Sequence, residues 1–175
     1  MTVQTKTKLK RYVIYGITLL LAHIFQNSLT IFPEILSVRP VLLISVSLCI
    51  AMFEGEIVGA VVGLVAGALW DTVTVTADGY NALFLMLACA FCGVMLRVFM
   101  RNNIVTFLMM NTGITLVYSL SYVLFFITAR GIDNGTEMLL RYYLPMSLYS
   151  VIIAPVGYLL IRWVNRKFSY DYTEY

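Results

Sequence analysis

The feature that most limits the fold of this chain is its series of long apolar stretches. Four of them can cross a membrane as helices of about 20 residues, over residues 12–32, 80–96, 104–129 and 142–161. Of the 175 residues, 61% are hydrophobic and only 12% are charged, whereas soluble domains carry about 25% charged residues. A soluble domain of this length cannot bury so much apolar surface. The sequence therefore predicts an all-α, polytopic integral membrane protein with residues 1–175 as a single transmembrane domain.

The stretch over residues 41–75 is too long for one ordinary span. As a single helix it would also place Glu54 and Glu56 near the middle of the membrane, where a charge is costly. Two short helices with Glu54-Gly55-Glu56 as the turn avoid this cost. Pro40 suits the first turn of the earlier helix, because its missing N–H needs no partner there. The two helices are predicted over residues 40–53 and 57–75.

The distribution of basic residues selects six spans with both termini in the cytoplasm. Cytoplasmic loops of membrane proteins carry an excess of lysine and arginine. Six spans give nine basic residues inside and three outside, whereas five spans give six on each side. The nine are Lys6, Lys8, Lys10, Arg11, Arg97, Arg101, Arg162, Arg166 and Lys167, and the three are Arg39, Arg130 and Arg141. A basic segment over residues 1–11 and a polar tail over residues 168–175 are therefore expected in the cytoplasm.

Four glycines recur at every fourth residue of the third predicted span, at Gly55, Gly59, Gly63 and Gly67. A row of this period turns about 40° around the helix at each step. Small residues at this spacing let a crossing helix approach closely in a membrane. The row therefore predicts a face that packs either against another helix of the chain or against another subunit, including a second copy.

The next step of four after Gly67 is Asp71, near the outer end of the span. A carboxylate at that depth needs hydrogen-bond donors. Candidate donors are the backbone amides of the next helix and the side chains of Thr72, Thr74 and Asn81. Asp78-Gly79 indicates a turn at the N-terminus of that helix. The sequence predicts a polar loop of Asp71, Asp78, Gly79 and Asn81, with either a structural or a functional carboxylate.

No set of residues in the sequence indicates catalysis. His23 is the only histidine, and Cys89 and Cys92 form a C-x-x-C pair inside an apolar span. A zinc site needs further histidine or cysteine ligands, and an activated nucleophile needs a neighbouring base. The sequence therefore predicts no catalytic residue, no metal and no cofactor. The basic residues are too scattered to indicate nucleic-acid binding.

In order and spacing, several of these residues resemble the central part of the MreD family of rod shape-determining membrane proteins. They are Arg39-Pro40, Glu54-Gly55-Glu56, the glycines at positions 59, 63 and 67, Asp71, Gly79 and Asn81-Ala82. The resemblance makes Arg39, Pro40, Glu54 and Glu56 a family-motif turn. It covers about a third of the chain in motif and nearly all of it in the layout of the spans.

The resemblance implies a non-enzymatic scaffold subunit of the bacterial cell-elongation machinery, placed in the cytoplasmic membrane and needed for rod shape and lateral cell-wall synthesis. The expected direct partner is an MreC-like membrane protein. MreB, RodA and a class B penicillin-binding protein are expected as indirect partners. The family is also similar in fold to the six-helix substrate-binding subunits of energy-coupling-factor transporters. A vitamin-type small-molecule-binding subunit therefore stays open as the alternative, supported by the intramembrane polar residues Gln26, Asn27, Asn111 and Tyr118.

Overall fold

A computed structural model describes residues 3–28, 40–74, 79–99, 102–127 and 139–169. Every regular element in these ranges is a helix. The α-helices are α1 (Val3–Asn27), α2 (Leu42–Glu54), α3 (Glu56–Asp71), α4 (Tyr80–Val98), α5 (Ile104–Tyr122) and α6 (Leu144–Ser169). A π-helical segment, Val123–Ile127, continues α5, and a second one, Leu139–Tyr143, precedes α6.

Three helical stretches of the described chain are long and apolar enough to cross a membrane. They are Tyr80–Val98, Ile104–Phe126 and Leu140–Arg166, and α2 is a shorter apolar helix. Three such stretches, in a chain whose described elements are all helices, are consistent with a membrane protein. That the chain has six spans, with both termini in the cytoplasm, stays a prediction.

The short helix α2 forms the centre of the bundle. Every residue from Leu43 to Met52 is buried, and α2 contacts all five of the other α-helices. A helix that is apolar on all sides is the kind that a structure buries completely. The position of α2 therefore follows from its composition, and the other helices are arranged around it.

Both ends of α2 are capped by side chains from other parts of the chain. At its N-terminus, the Oε1 atom of Gln26 accepts from the N–H of Leu43 (3.1 Å), and Ser150 Oγ accepts from the N–H of Val41 (2.8 Å). At its C-terminus, the Nδ2 atom of Asn102 donates to the carbonyl oxygen of Met52 (3.2 Å). Helix ends leave backbone groups without partners, and hydrocarbon offers no water to replace them. These contacts tie α2 to α1, α6 and the α4–α5 loop.

The predicted break between the second and third helices is present at Gly55. Its dihedral angles, φ +86° and ψ −172°, lie in a region that is almost exclusive to glycine. α3 ends at Asp71, four residues before the predicted end, because Val73 N–H bonds to the carbonyl oxygen of Trp70 in a turn. Pro40 lies before α2 instead of in its first turn. Arg39 and Asp78 lie outside the described residues.

Candidate functional site

The glycine row lies against α4 along most of its length. A Cβ atom added to Gly63 would lie 2.7 Å from the carbonyl carbon of Leu85, and one added to Gly67 would overlap the backbone at Ala82. At Gly59 it would lie 2.7 Å from the Cβ of Ala51 in α2 and 3.2 Å from the carbonyl oxygen of Cys89. Distances under 3.0 Å leave no room for a side chain. The backbones of α3 and α4 therefore touch, with α2 closing over one end of the row.

Helix α4 meets the glycines with a row of the same period. Its members are Asn81, Leu85, Cys89 and Gly93, all of which are buried. Each step of four along α3 is matched by a step of four in the opposite direction along α4, because the two helices are antiparallel. Both rows turn around their helices in the same sense. The contact therefore continues over several turns instead of occurring at one crossing point.

Gly93 is the glycine of this contact that the sequence reasoning missed. A Cβ atom there would lie 2.6 Å from the backbone nitrogen and Cα of Glu56. The signal was available in the sequence, because Gly93 follows Cys89 by four residues in a segment of small side chains. Gly55, by contrast, has no atom near an added Cβ. Its requirement for glycine comes from its backbone angles at the turn, and not from packing along the row.

Asp71 caps the N-terminus of α4 from the end of the preceding helix. Its Oδ2 accepts from the N–H of Ala82 (3.0 Å) and its Oδ1 from the N–H of Asn81 (3.3 Å). The residue before α4, Gly79, has no side chain that could do this, and it adopts a left-handed conformation with φ +78°. A carboxylate at a helix N-terminus also interacts favourably with the helix dipole. Of the donors considered from sequence, the backbone amides are the ones that Asp71 uses.

Asn81 extends this polar contact into the bundle. Its side chain is fully buried, donates from Nδ2 to Thr74 Oγ1 (3.3 Å) and accepts at Oδ1 from the hydroxyl of Tyr118 (2.8 Å). The Tyr118 ring stacks on Trp70 with centroids 5.0 Å apart. Tyr118 therefore links the end of α3 and the start of α4 to the C-terminal part of α5. We call the region formed by Trp70, Asp71, Thr74, Asn81 and Tyr118 the Asp71 end of the bundle.

At the opposite end, Glu54 is held by α1. Its Oε2 accepts from the Nη2 of Arg11 (2.8 Å), and its Oε1 accepts from the hydroxyl of Tyr15 (2.9 Å). The Glu54 side chain is 5% exposed and that of Arg11 is 18% exposed. A carboxylate this deeply buried needs both a counter-charge and hydrogen bonds. The sequence reasoning used Arg11 only for the orientation of the chain and missed its partner.

Glu56 faces a more open surface at the same end. It forms an ion pair with Arg97, whose side chain is 73% exposed. The backbone N–H of Glu56 lowers the pKa of its carboxyl group, and Arg97 adds to this effect. A groove of about 650 Å³ lies here, lined by the end of α2, the start of α3 and the residues Gly93, Leu96, Arg97 and Asn102. We call the region around the α2–α3 turn, with Glu54, Glu56 and their partners Arg11 and Arg97, the Glu54 end of the bundle.

The arrangement is suited to holding helices together. In the described part of the chain, no group of three or more histidine, cysteine or carboxylate side chains could hold a metal ion. Cys89 and Cys92 are both fully buried, and His23 contacts Asn27 one turn along its own helix. The two carboxylates with the most buried contacts, Glu54 and Asp71, both bond to other helices. Each of these carboxylates therefore joins one helix of the bundle to another; whether Asp71 is structural or functional stays a prediction.

The model of the MreD family of rod shape-determining proteins matches residues 6–168. The chain belongs to the MreD family. The match covers nearly the whole chain. The resemblance that the motif residues indicated is therefore confirmed. Neither the curated proteins nor the solved structures give a match.

Membership of the MreD family gives this protein a role in rod shape and cell elongation. The family is one of shape-determining structural proteins and is not a known enzyme family. It forms part of a shape system together with MreB and MreC. The likeness to the substrate-binding subunits of energy-coupling-factor transporters stays a prediction.

Proposed function

We propose that this MreD-family chain is a non-enzymatic, multi-pass scaffold of the bacterial cytoplasmic membrane. It binds an MreC-like protein directly and is linked through that protein to MreB, RodA and a class B penicillin-binding protein. Residues 1–175 form a single transmembrane domain with six spans. Residues 1–11 and 168–175 lie in the cytoplasm.

One observation carries the scaffold proposal: the three carboxylates in the described part of the chain, Glu54, Glu56 and Asp71, all have partners within the chain. Glu54 is satisfied by Arg11 and Tyr15, and Asp71 is satisfied by two backbone N–H groups of α4. A catalytic or transport carboxylate must be able to exchange its partner for a substrate or a proton. Carboxylates that are held by fixed hydrogen bonds within the chain therefore favour a scaffold over an enzyme or a transporter.

Charge supports the proposed orientation. The Glu54 end collects Arg11 and Arg97 around the α2–α3 turn, and Arg162 and Arg166 lie in a pocket beside it. The positive-inside rule assigns such an end to the cytoplasm. The Asp71 end then faces the outside, together with the aromatic rings of Trp70, Tyr118 and the neighbouring tyrosines.

The glycine row has an internal neighbour in this fold. Because α4 touches the row at Gly59, Gly63 and Gly67, a partner could reach it only by displacing α4. We therefore assign these glycines to the stability of the bundle, and the partner to a different surface. In the same way, Gly55, Glu54 and Glu56 shape the turn, and Asp71, Gly79 and Asn81 shape the α3–α4 loop. A homodimer stays a prediction.

Depletion of the protein in a rod-shaped host tests the scaffold role. We expect rounded cells with normal uptake of nutrients, and loss of the MreC-like partner from the complexes that MreB and the wall synthases form. Re-expression of the wild-type chain should restore both. Cells of normal shape that require an added vitamin for growth would instead identify a transport subunit and refute the scaffold role.

The second candidate function is that of a small-molecule-binding transport subunit. One cavity in the bundle favours it. A space of about 270 Å³ lies between α1, α2 and α6, and the buried hydroxyl of Ser45 lines it without a hydrogen-bond partner. Pockets for small molecules usually measure about 300–1,000 Å³ and carry several polar groups. The cavity is below this range, and its lining is otherwise almost wholly apolar. We therefore place the scaffold role first.

A further inference from the structure

A second pocket at the Glu54 end carries two positive charges that form no ion pair within the described residues. Its volume is about 410 Å³, and it is lined by Phe53, Asn102, Tyr158, Arg162, Asn165 and Arg166. It adjoins the groove at the α2–α3 turn, because Phe53 and Asn102 line both. Two guanidinium groups line the pocket, and its lining contains no carboxylate.

These two arginines differ from the others at the same end. Arg11 and Arg97 are paired with Glu54 and Glu56. Within the residues that the structure describes, neither Arg162 nor Arg166 forms an ion pair. Arg162 lies over the ring of Tyr158, with its Cζ atom 5.9 Å from the ring centroid. Among the described residues, therefore, no carboxylate compensates the positive charge of the pocket.

The floor of the pocket is formed by Tyr158, which is buried and packed against other rings. Tyr158 is 2% exposed, and its ring packs against Phe107 and Phe53 with centroids 5.2 and 5.9 Å away. Its hydroxyl donates to Asn102 Oδ1 (3.5 Å), and Asn102 is fixed in turn by the carbonyl oxygen of Met52. A preorganised floor lowers the entropy cost of binding a ligand. The arginines above it supply the planar donor sets that suit phosphate oxygens.

The outer surface of α6 leads directly to this pocket. Val156, Leu159, Leu160 and Trp163 on this helix are each at least 47% exposed. Trp163 lies next to Arg162 in the sequence, and tryptophan is favoured at the level of lipid headgroups. A ligand with an anionic head and apolar tails can use both the pocket and this surface, whereas a soluble anion can use only the pocket.

From this geometry we propose that the α6 pocket binds the phosphate group of an anionic phospholipid, whose acyl chains lie along the exposed surface of α6. The proposal goes beyond the scaffold role and does not depend on which partner the scaffold binds. It requires only that α6 lies in a lipid bilayer. Basic pockets between membrane helices are a known kind of lipid headgroup site.

The test is native mass spectrometry of the full-length protein in detergent, with phosphatidylglycerol or phosphatidylcholine of identical acyl chains added. We expect phosphatidylglycerol to stay bound and phosphatidylcholine to dissociate. In the double variant Arg162→Gln/Arg166→Gln, binding of phosphatidylglycerol should weaken by about tenfold or more. Equal retention of the two lipids, or unchanged binding by the double variant, would refute the proposal.

Two controls separate the pocket from bulk charge and from folding. Lys10→Gln removes an exposed positive charge from α1 and should leave phosphatidylglycerol binding unchanged, whereas Arg166→Gln alone should weaken it. Arg162→Lys/Arg166→Lys keeps both charges but loses the planar donors, so its binding should fall between that of the wild type and the double glutamine variant. The thermal unfolding midpoints of all variants should match. If Lys10→Gln weakened phosphatidylglycerol binding as much as Arg166→Gln does, the binding would be nonspecific charge attraction, and the proposal would be overturned.

Two competitors distinguish the source of the phosphate. Millimolar inorganic phosphate should fail to displace phosphatidylglycerol, because it gains nothing from the apolar surface of α6. Displacement by phosphate would turn the pocket into a site for a soluble anion and refute the lipid assignment. Displacement by a short polyglutamate peptide would refute it in favour of an acidic protein segment.

Discussion

The carboxylate of Asp71, the last residue of α3, accepts a hydrogen bond from the backbone N–H of Ala82 in the first turn of α4, over 3.0 Å. Its other oxygen accepts from the N–H of Asn81. A single side chain thus closes the α3–α4 hairpin and caps its second helix. The hairpin is joined along its length by the glycine row, so the cap and the row stabilise the same pair of helices.

The substitution Asp71→Asn should destabilise the protein although it preserves the shape of the side chain. Asparagine has one carbonyl oxygen, and its NH₂ group would face a second N–H donor. We expect the free energy of unfolding in mixed micelles to fall by about 1–2 kcal/mol, with a similar loss for Asp71→Ala. The neighbouring control Val73→Ala, at a half-exposed position, should change little. Wild-type stability of the asparagine variant would mean that one oxygen is sufficient for the cap.

Gly63→Ala should separate α3 from α4, because the new Cβ atom would meet the backbone of Leu85. Overpacking of this kind costs about 1–3 kcal/mol, and Gly63→Leu should cost more. The matched control is Gly113→Ala, since Gly113 lies in α5 with no atom within 4 Å of an added Cβ. Unfolding midpoints and the yield of folded protein are the readouts. Equal behaviour of the two alanine variants would contradict the close contact.

Removing the charge of Glu54 should be much more harmful than removing that of Glu56. Glu54→Gln leaves the mostly buried guanidinium of Arg11 without its anion, a change that costs about 3–5 kcal/mol in buried pairs. Glu56→Gln affects a pair whose arginine is 73% exposed, and exposed pairs contribute little. A double-mutant cycle between Glu54→Gln and Arg11→Gln would measure the coupling directly. Equal losses for the two glutamine variants would argue against the buried pair.

Cysteine labelling checks the proposed orientation. In a background that lacks Cys49, Cys89 and Cys92, a cysteine at position 73 should react with an impermeant thiol reagent in intact cells. A cysteine at position 103, next to the Glu54 end, should react only after the membrane is permeabilised. Both positions are open to solvent or to the membrane interface, since Val73 and Asn103 are exposed. The reverse pattern would invert the whole topology.

Local patterns in the sequence predicted the parts of the fold that depend on near neighbours. The break at Gly55 followed from two charges that a continuous helix would bury, and the glycine row followed from its period. Asp71 was identified as a carboxylate in need of donors because its position at the end of a span is visible in the chain. Each of these inferences uses residues of one continuous stretch of the chain, residues 41–75.

The contacts that the sequence reasoning missed join residues far apart in the chain. The pairing of Arg11 with Glu54, and the bonds that Asn102 makes to Met52 and Tyr158, depend on which helices become neighbours. Periodicity gives the faces of a helix but does not identify the helix that each face meets. Gly93 was missed for a related reason, because its four-residue spacing from Cys89 gains a meaning only when the opposing row on α3 is known.

The caps on α2 also set an order for the assembly of the chain. The N–H of Val41 finds its acceptor on Ser150, a residue that leaves the ribosome long after α2 has been synthesised. Until α6 joins the bundle, that amide lacks the partner it has in the complete fold, where Val41 is buried, and a buried backbone N–H without a partner is costly. The central helix of the bundle is therefore completed only by the last one. A chain that stops before α6 therefore leaves the buried amide at the start of α2 without the acceptor that Ser150 supplies.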